Sequence, residues 1–279
     1  VPKDPALDLS TTPGRDAWAH LVTFPDQGLV ALDYDGTLAP IVARPEDAVA
    51  QPGIVDALAA LAEHGVAVAV ITGRPVDAAL SLGRLDAVPG LVLLGHYGLQ
   101  RWQGGELSSP EPGPGVATAR ERLVAYVAAH DPGMTVEDKH HSVALHTRNA
   151  ADPAGSFAAA TPMAQSLAQE CDLELVPGRY VLELRPAGTD KGGALRAVVQ
   201  QTGARAVLFG GDDLGDLPAV AATADLRAGG VHAMVVCSDS AETPVQLREA
   251  ADLVVTGPPG VLSVLRALES DIVAAARPE

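Results

Sequence analysis

Short apolar runs rich in β-branched residues alternate with longer Ala/Leu segments of helical period at both ends of this chain. "GLVALDY" (28–34) leads to "PGIVDALAALAEHG", then "VAVAVIT", "PVDAALSLG" and "LVLLGHYG" (91–98). The rhythm returns late, with "TDKGGALRAVVQQTG" as helix, "RAVLFGG" as strand, "LGDLPAVAATA" as helix, "HAMVVC" and "ADLVV" as strands and "PPGVLSVLRALESDIVAAA" as a closing helix. Strands that are continuously apolar, with no polar alternation, are buried on both faces, so these βαβ units imply a parallel sheet covered by helices. The fold class expected is therefore α/β, with a Rossmann-like parallel-sheet core.

The middle of the chain breaks the pattern. "SSPEPGPG" (108–115) denies itself regular structure through Pro and Gly and reads as a linker. Beyond it come a helix near 116–130, the runs "MTVEDK" and "SVALHTR" flanking "HH", a second helix near 152–170, and the strands "LELV" and "YVLELRP" about a turn at "PG". An αββαββ order of this kind fits a small antiparallel α+β unit inserted into the core. The division expected is a core of residues 1–103 and 186–279 with an insert at 104–185.

A 279-residue chain with 47% hydrophobic and 19% charged residues can bury a sizeable interior and is not disordered. Only 3% of residues are aromatic, so Ala, Val and Leu must fill that interior. A net charge of −16 repels nucleic acid and anionic membranes, and any anionic substrate then needs a local cationic site. No apolar stretch is long enough to span a bilayer. Cys171 and Cys237 lack metal-type spacing and are expected as free thiols. "VPKDPALDLSTTPGRD" lacks the layout of a signal peptide, although a chain starting on Val1 is also what trimming leaves. The cytoplasm is the expected location.

Candidate chemistry gathers where strands end. Asp33 and Asp35 follow the first strand, and the carboxyl ends of strands in open parallel sheets are where ligands bind. An acidic turn is the plain alternative. "ITGRP" leaves the Thr72 hydroxyl and Gly73 amide at the same edge, beside a helix N-terminus that favours anions. Lys191 sits in the first turn of a helix, where a cation opposes the dipole unless it faces an anion; the alternative is a solvated surface lysine. "FGGDDLGD" adds Asp212, Asp213 and Asp216. Five carboxylates at one edge repel by several kcal/mol unless a cation sits among them, and hard oxygen donors suit Mg²⁺.

This ordered set resembles the haloacid dehalogenase superfamily: D-x-D-G-T-L, a Thr or Ser after the second strand, a Lys, and an acidic G-D-D-x-x-D element. "LDYDGTLAPIVARPEDA", "VAVITGRP", "LLGHYGLQ", "EDKHHSVALHTR" and "GRYVLELRPAGTDKGGALRA" resemble, more narrowly, the trehalose-6-phosphate phosphatases. The resemblance runs from about residue 29 to about residue 217 and implies a Mg²⁺-dependent hydrolysis through an aspartyl-phosphate. Asp33 would be the nucleophile and Asp35 the acid and base. Thr72, Gly73 and Lys191 would hold the phosphoryl oxygens, with Arg74 at the substrate. Mg²⁺ would be held by Asp33, the Asp35 carbonyl and Asp212, with Asp213 or Asp216 acting directly or through water. The insert resembles the family's cap, in which Glu137, Lys139 and Glu183 match positions that contact sugar hydroxyls, with Ser142, His146 and Arg148 nearby. His140 and His141 are read as an exposed turn, because neighbours on a strand point to opposite faces and share an ion poorly.

Four positions depart from the resemblance: Gly215 replaces a usual Thr or Asn, Gln100 a usual Glu, and two more follow the acidic element. Leu217 and Pro218 replace acidic residues that often follow the acidic element. The partner expected is a small sugar phosphate, with neither nucleic acid nor membrane. Three readings stay open here: a trehalose 6-phosphate phosphatase, a phosphatase of a related sugar or pseudo-disaccharide phosphate, and a catalytically silent sugar-phosphate sensor linked to a trehalose-phosphate synthase.

Overall fold

The structure is a computed structural model that describes residues 9–277, so the first eight residues of the N-terminal stretch read above lie outside it. The chain divides into two compact units, one made of residues 1–108 and 190–279 and the other of residues 109–189.

The first unit is built on an eight-stranded sheet. In chain order its strands are β1 (Gly28–Leu32), β2 (Ala67–Ile71), β3 (Val92–Gly95), β4 (Gln100–Gln103) and β5 (Glu106–Ser108), and after the insert β10 (Ala206–Gly211), β11 (His232–Asp239) and β12 (Leu253–Thr256). Their spatial order is β12-β11-β10-β1-β2-β3-β4-β5. The six from β12 to β3 run parallel, and β4 and β5 close the edge antiparallel. All five residues of β1 are buried because the strand faces two cores. Val30 and Leu32 pack with Leu58, Leu61, Leu265 and Leu268 on one side. Leu29 and Ala31 pack with Leu195, Val198 and Ala222 on the other. The helices that supply those faces are α1 (Thr12–Thr23), α2 (Ile54–Glu63), α3 (Val76–Gly83) and α9 (Gly257–Ala275) on the first, and α6 (Lys191–Thr202) and α7 (Leu217–Ala228) on the second. A short α8 (Val245–Ala250) sets Leu247 against Val235 and Cys237 of β11. Among the described residues no helix is long and apolar enough to cross a membrane.

The second unit is a four-stranded antiparallel sheet ordered β6-β7-β9-β8, with β6 (Thr135–Asp138), β7 (Val143–His146), β8 (Leu173–Gly178) and β9 (Val181–Pro186). Helices α4 (Pro114–His130) and α5 (Pro153–Glu170) bury one face of it through Ala119, Leu123, Ala164 and Leu167 against Leu145, Leu182 and Leu184.

Three expectations shift. The insert begins at 109, not 104, because Glu106–Ser108 pairs with β4 and belongs to the large sheet, and it ends at 189, not 185. The turn between β8 and β9 falls at Arg179-Tyr180, with Tyr180 at φ 60°; Pro177 and Gly178 stay in register as strand. Proline is tolerated there because β8 is an edge strand, where a missing N–H leaves no ladder bond unmade. The "HH" pair does lie in a turn, but His141 is buried with its Nε2 3.0 Å from the Ser109 hydroxyl, while His140 is exposed at φ 66°.

Candidate active site

Strand order reverses at β1: the chain moves to β2 and β3 on one side and returns through β10 and β11 on the other. Such a switch point leaves a crevice beyond the carboxyl ends of the strands. Register makes the convergence concrete. Leu32 sits beside Gly210 and Val70, so Asp33 and, one residue further along their strands, Asp212 and Thr72 emerge at one edge. The Asp33 amide donates to the Gly210 carbonyl at 2.9 Å, carrying the pairing one step past the strand.

Lys191 opens α6 and is 4% exposed, not a solvated surface lysine. Its ammonium lies 2.6 Å from Asp33 Oδ1 and 2.7 Å from Asp216 Oδ1. Burial alone would lower its pKa, but Asp216, Asp33 and Asp213 reverse this and hold it well above the ordinary lysine value. Asp33, Asp212 and Asp216 are all buried, and one carboxylate oxygen from each lies within 4.8 Å of the others. Burial first, then the neighbouring carboxylates, pushes the Asp212 carboxyl up to about 10. Burial likewise raises Asp33 well above the usual carboxylate range against the pull of Lys191. Three carboxyls crowd one ammonium in a desolvated pocket, and the raised values mean that Asp33 and Asp212 hold protons there that a cation among them would displace. All the donors are hard oxygens, so the residues fit a divalent cation such as Mg²⁺.

Two of the five strand-end carboxylates turn elsewhere. Asp35 is gripped by Arg74, whose Nε and Nη2 each donate at 2.7 Å to a different carboxylate oxygen. Arg74 also donates to the Pro45 carbonyl at 2.9 Å and lies over the Tyr34 ring, so the acid, the "TGR" segment and the 45–48 loop are tied together. Asp213 caps the short turn that follows it, accepting from the Gly215 amide at 2.8 Å. Asp216 completes that capping box by accepting from the Asp212 and Asp213 amides at 2.9 and 3.1 Å. One Asp216 oxygen therefore holds the motif's backbone and the other holds Lys191. Asp33 and Asp212 are the carboxylates with the most ligating capacity left.

Thr72 is buried, and its hydroxyl accepts from the Arg74 amide at 3.1 Å. A Cβ at Gly73 would lie 2.7 Å from the Tyr97 hydroxyl, so a side chain there would have to displace the Tyr97 ring. Gly36, which the sequence reading passed over, is constrained twice: its φ is +72°, and a Cβ would meet Asp212 Oδ2 at 2.1 Å. Its signal was present in the "DGT" turn. Gln100 accepts from the Val76 amide at 2.9 Å, supporting the start of α3. Gly215 is exposed, and the nearest atom to a side chain there would be Asp213 Oδ1.

In the second unit, Glu137, Ala144 and Glu183 form one row across β6, β7 and β9, on the sheet face opposite the helices. Ser142 donates to Glu183 at 2.6 Å, Lys139 lies 3.4 Å from the same carboxylate, and His146 Nε2 is 2.8 Å from Glu137. Arg148 is exposed in the turn past β7 and stands outside that row.

The trehalose-phosphatase sequence profile matches residues 31–252, most of the chain and every candidate position above. The chain belongs to the trehalose-phosphatase family. It is 34% identical over 206 residues to the trehalose-phosphate phosphatase of Mycobacterium avium, covering 67% of this chain and 49% of that protein. It is 35% identical over 206 residues to an uncharacterized glycosyl hydrolase of Mycobacterium tuberculosis, covering 67% of this chain and 14% of that protein. The chain thus spans half or less of the length of these curated relatives. The C-terminal domain of the trehalose-6-phosphate phosphatase of C. albicans superposes with a TM-score of 0.74 at 19% identity, covering 96% of this chain and 99% of that domain. The likeness supports the fold class: a mostly parallel-sheet α/β core with an inserted α+β unit.

Proposed function

We propose that this chain is a Mg²⁺-dependent phosphatase that hydrolyses trehalose 6-phosphate to trehalose and phosphate. The observation that carries the reading is the buried Asp33–Lys191–Asp216 ion triad beside Asp212 at the sheet's switch point, in a member of this family. Asp33 and Asp212 are the residues that would hold Mg²⁺, with Asp216 behind them. Bound there, Mg²⁺ supplies the positive charge that offsets repulsion of about 4 kcal/mol per charge pair between a carboxylate and a phosphate dianion about 4 Å away.

An Asp33 oxygen attacks phosphorus, the bond from phosphorus to the sugar oxygen breaks, and the electron pair leaves with the sugar. Asp35 delivers a proton to that oxygen and then takes one from the water that hydrolyses the aspartyl-phosphate. The Arg74 grip fixes the Asp35 carboxylate in place and leaves each of its oxygens a second lone pair for the proton. Lys191, the Thr72 hydroxyl and the Gly73 amide hold the phosphoryl oxygens as charge spreads over them. The polar sheet face of the insert, with Glu137, Lys139, Ser142 and Glu183, binds the sugar hydroxyls.

The test is phosphate release from a panel of sugar phosphates with Mg²⁺ and with EDTA. Trehalose 6-phosphate should be the preferred substrate, EDTA should stop the reaction, and Asp33→Asn should abolish turnover while the far-UV circular dichroism is kept. Turnover by Asp33→Asn would refute the nucleophile, and measurable binding without turnover of any member would favour a silent sensor.

A further inference from the structure

Ser238 ties the turn that follows β1 to β11, two strands away in the sheet. It lies near the end of β11, 1% exposed, and its hydroxyl donates to the Gly36 carbonyl at 2.6 Å across 202 positions of sequence. β10 stands between β11 and β1 and ends at Gly211, level with Cys237, so Ser238, one residue further along, reaches the turn after β1 past the end of β10. The donor itself is fixed. The Ser238 carbonyl accepts from the buried Thr243 hydroxyl at 3.3 Å, and that hydroxyl accepts from the Ser240 amide at 3.0 Å.

The acceptor is the turn's left-handed residue. Backbone bonds hold Asp33 to Gly210, Leu38 to Tyr34 and the Gly36 amide to the Ala39 carbonyl at 2.7 Å, and the Ser238 hydroxyl holds the Gly36 carbonyl. The Gly36 Cα is flush against the Asp212 carboxylate. With the Asp212 carboxylate filling the space beside Gly36, a reorientation at this residue would press on that carboxylate.

We propose that Ser238 is a positioning residue of the reaction centre, holding the Gly36 peptide so that the Asp33–Asp35 turn and Asp212 keep one arrangement. This rests on the phosphatase reading of Asp33 and Asp212. Two variants isolate the hydroxyl: Ser238→Thr and Ser238→Val add the same bulk, and only the first retains a donor. Each is assayed for kcat and KM on trehalose 6-phosphate. Each is also titrated with Mg²⁺ alone, reading the midpoint of the Mg²⁺-induced rise in melting temperature.

Removal of an outer-shell partner costs about 10–100-fold in activity or metal affinity. Ser238→Val should therefore show kcat at least about tenfold below Ser238→Thr with KM within about twofold, and a Mg²⁺ midpoint raised about tenfold or more. Equal kcat and equal Mg²⁺ midpoints in the two variants, whatever their melting temperatures, overturn the proposal and leave Ser238 as a buried structural bond. Wild-type protein that turns over no sugar phosphate defeats the phosphatase reading separately, since the Mg²⁺ midpoints still decide the role of Ser238. If Ser238→Val does not fold, Ser238→Ala takes its place with the same readouts.

Discussion

Lys191→Met removes the one ammonium among the buried acids while keeping an unbranched side chain of similar length. In the wild type that ammonium makes two ion contacts, at 2.6 Å to Asp33 and 2.7 Å to Asp216, and no partner in either pair is more than 5% exposed at the side chain. Breaking a buried pair by deleting one partner costs about 3–5 kcal/mol, because the other charge is stranded away from water. For a unit of this size a melting temperature moves by about 2–4 °C per kcal/mol, so the variant should melt roughly 6–20 °C below wild type in EDTA at pH 7. The lysine's pKa is raised in the folded state, so its stabilising contribution is fully present below 10.5 and fades only as pH rises beyond that value.

Two controls separate this from generic core damage. Millimolar Mg²⁺ should recover part of the loss, since it restores positive charge among the same carboxylates. In a double-mutant cycle, Lys191→Met with Asp216→Asn should cost less than the sum of the two changes by about 1–3 kcal/mol. The assay is thermal unfolding followed by circular dichroism, with EDTA and with Mg²⁺. A melting temperature within about 2 °C of wild type in EDTA, with no coupling to Asp216→Asn, would show that the carboxylates do not depend on the lysine and would refute the electrostatic account of the site.

Three further outcomes follow from single positions. Gly36→Ala must place a Cβ 2.1 Å from Asp212 at a φ of +72°, so it should destabilise by about 2–4 kcal/mol in denaturant titration and lose the Mg²⁺-induced thermal shift. His20, stacked on His232 with centroids 4.6 Å apart, has its pKa lowered by burial and by that neighbour, so the unfolded chain takes up the proton first. Stability from this pair is present above about 6.5 and lost as pH falls, and His20→Gln should shrink the difference in melting temperature between pH 7.5 and 5.5; an unchanged difference contradicts the assignment. Cys237 is fully buried and its thiol is pushed up to about 12 by burial, so a thiol reagent at pH 8 should label native protein only at Cys171; labelling of native Cys171→Ser would count against the packing of β11.

The core strands were legible because burial on both faces writes itself as an unbroken apolar run, and their carboxyl ends located the acidic and hydroxyl residues. What escaped the reading lacks such a pattern. All three residues of β5 are exposed, so no alternation marks it as strand. Helix α8 is six residues long, and α1 shows only Ala17, Trp18 and Leu21 as its apolar face, with Thr11 and Pro13 as start signals. Side-chain direction was less visible still. Spacing put Asp35 in a cluster of acids, yet the turn after β1 aims it at an arginine 39 positions away. D-D-L-G-D reads equally as a ligand set or as a capping box, and only the turn geometry shows that Asp213 caps while Asp216 braces both Lys191 and the motif's amides.

The same logic explains why two of the departures from the family pattern leave the centre assembled. What the site requires at position 100 is an oxygen within reach of the Val76 amide, because that amide starts the helix following Thr72–Pro75 and would otherwise be a buried orphan. A glutamate supplies that oxygen with a charge, whereas Gln100 supplies it without one, and at 9% exposure a neutral acceptor avoids burying another anion. At position 215 the backbone N–H is the working group, donating to Asp213, and a glycine keeps it. Gln100→Glu should therefore preserve the fold and the Val76 contact while adding charge to an already acidic edge. The expected result is a melting temperature in EDTA lower than wild type by a few degrees, with the gap narrowing in Mg²⁺. A higher melting temperature in EDTA would mean that the carboxylate finds a cation there that the geometry around Val76 does not offer.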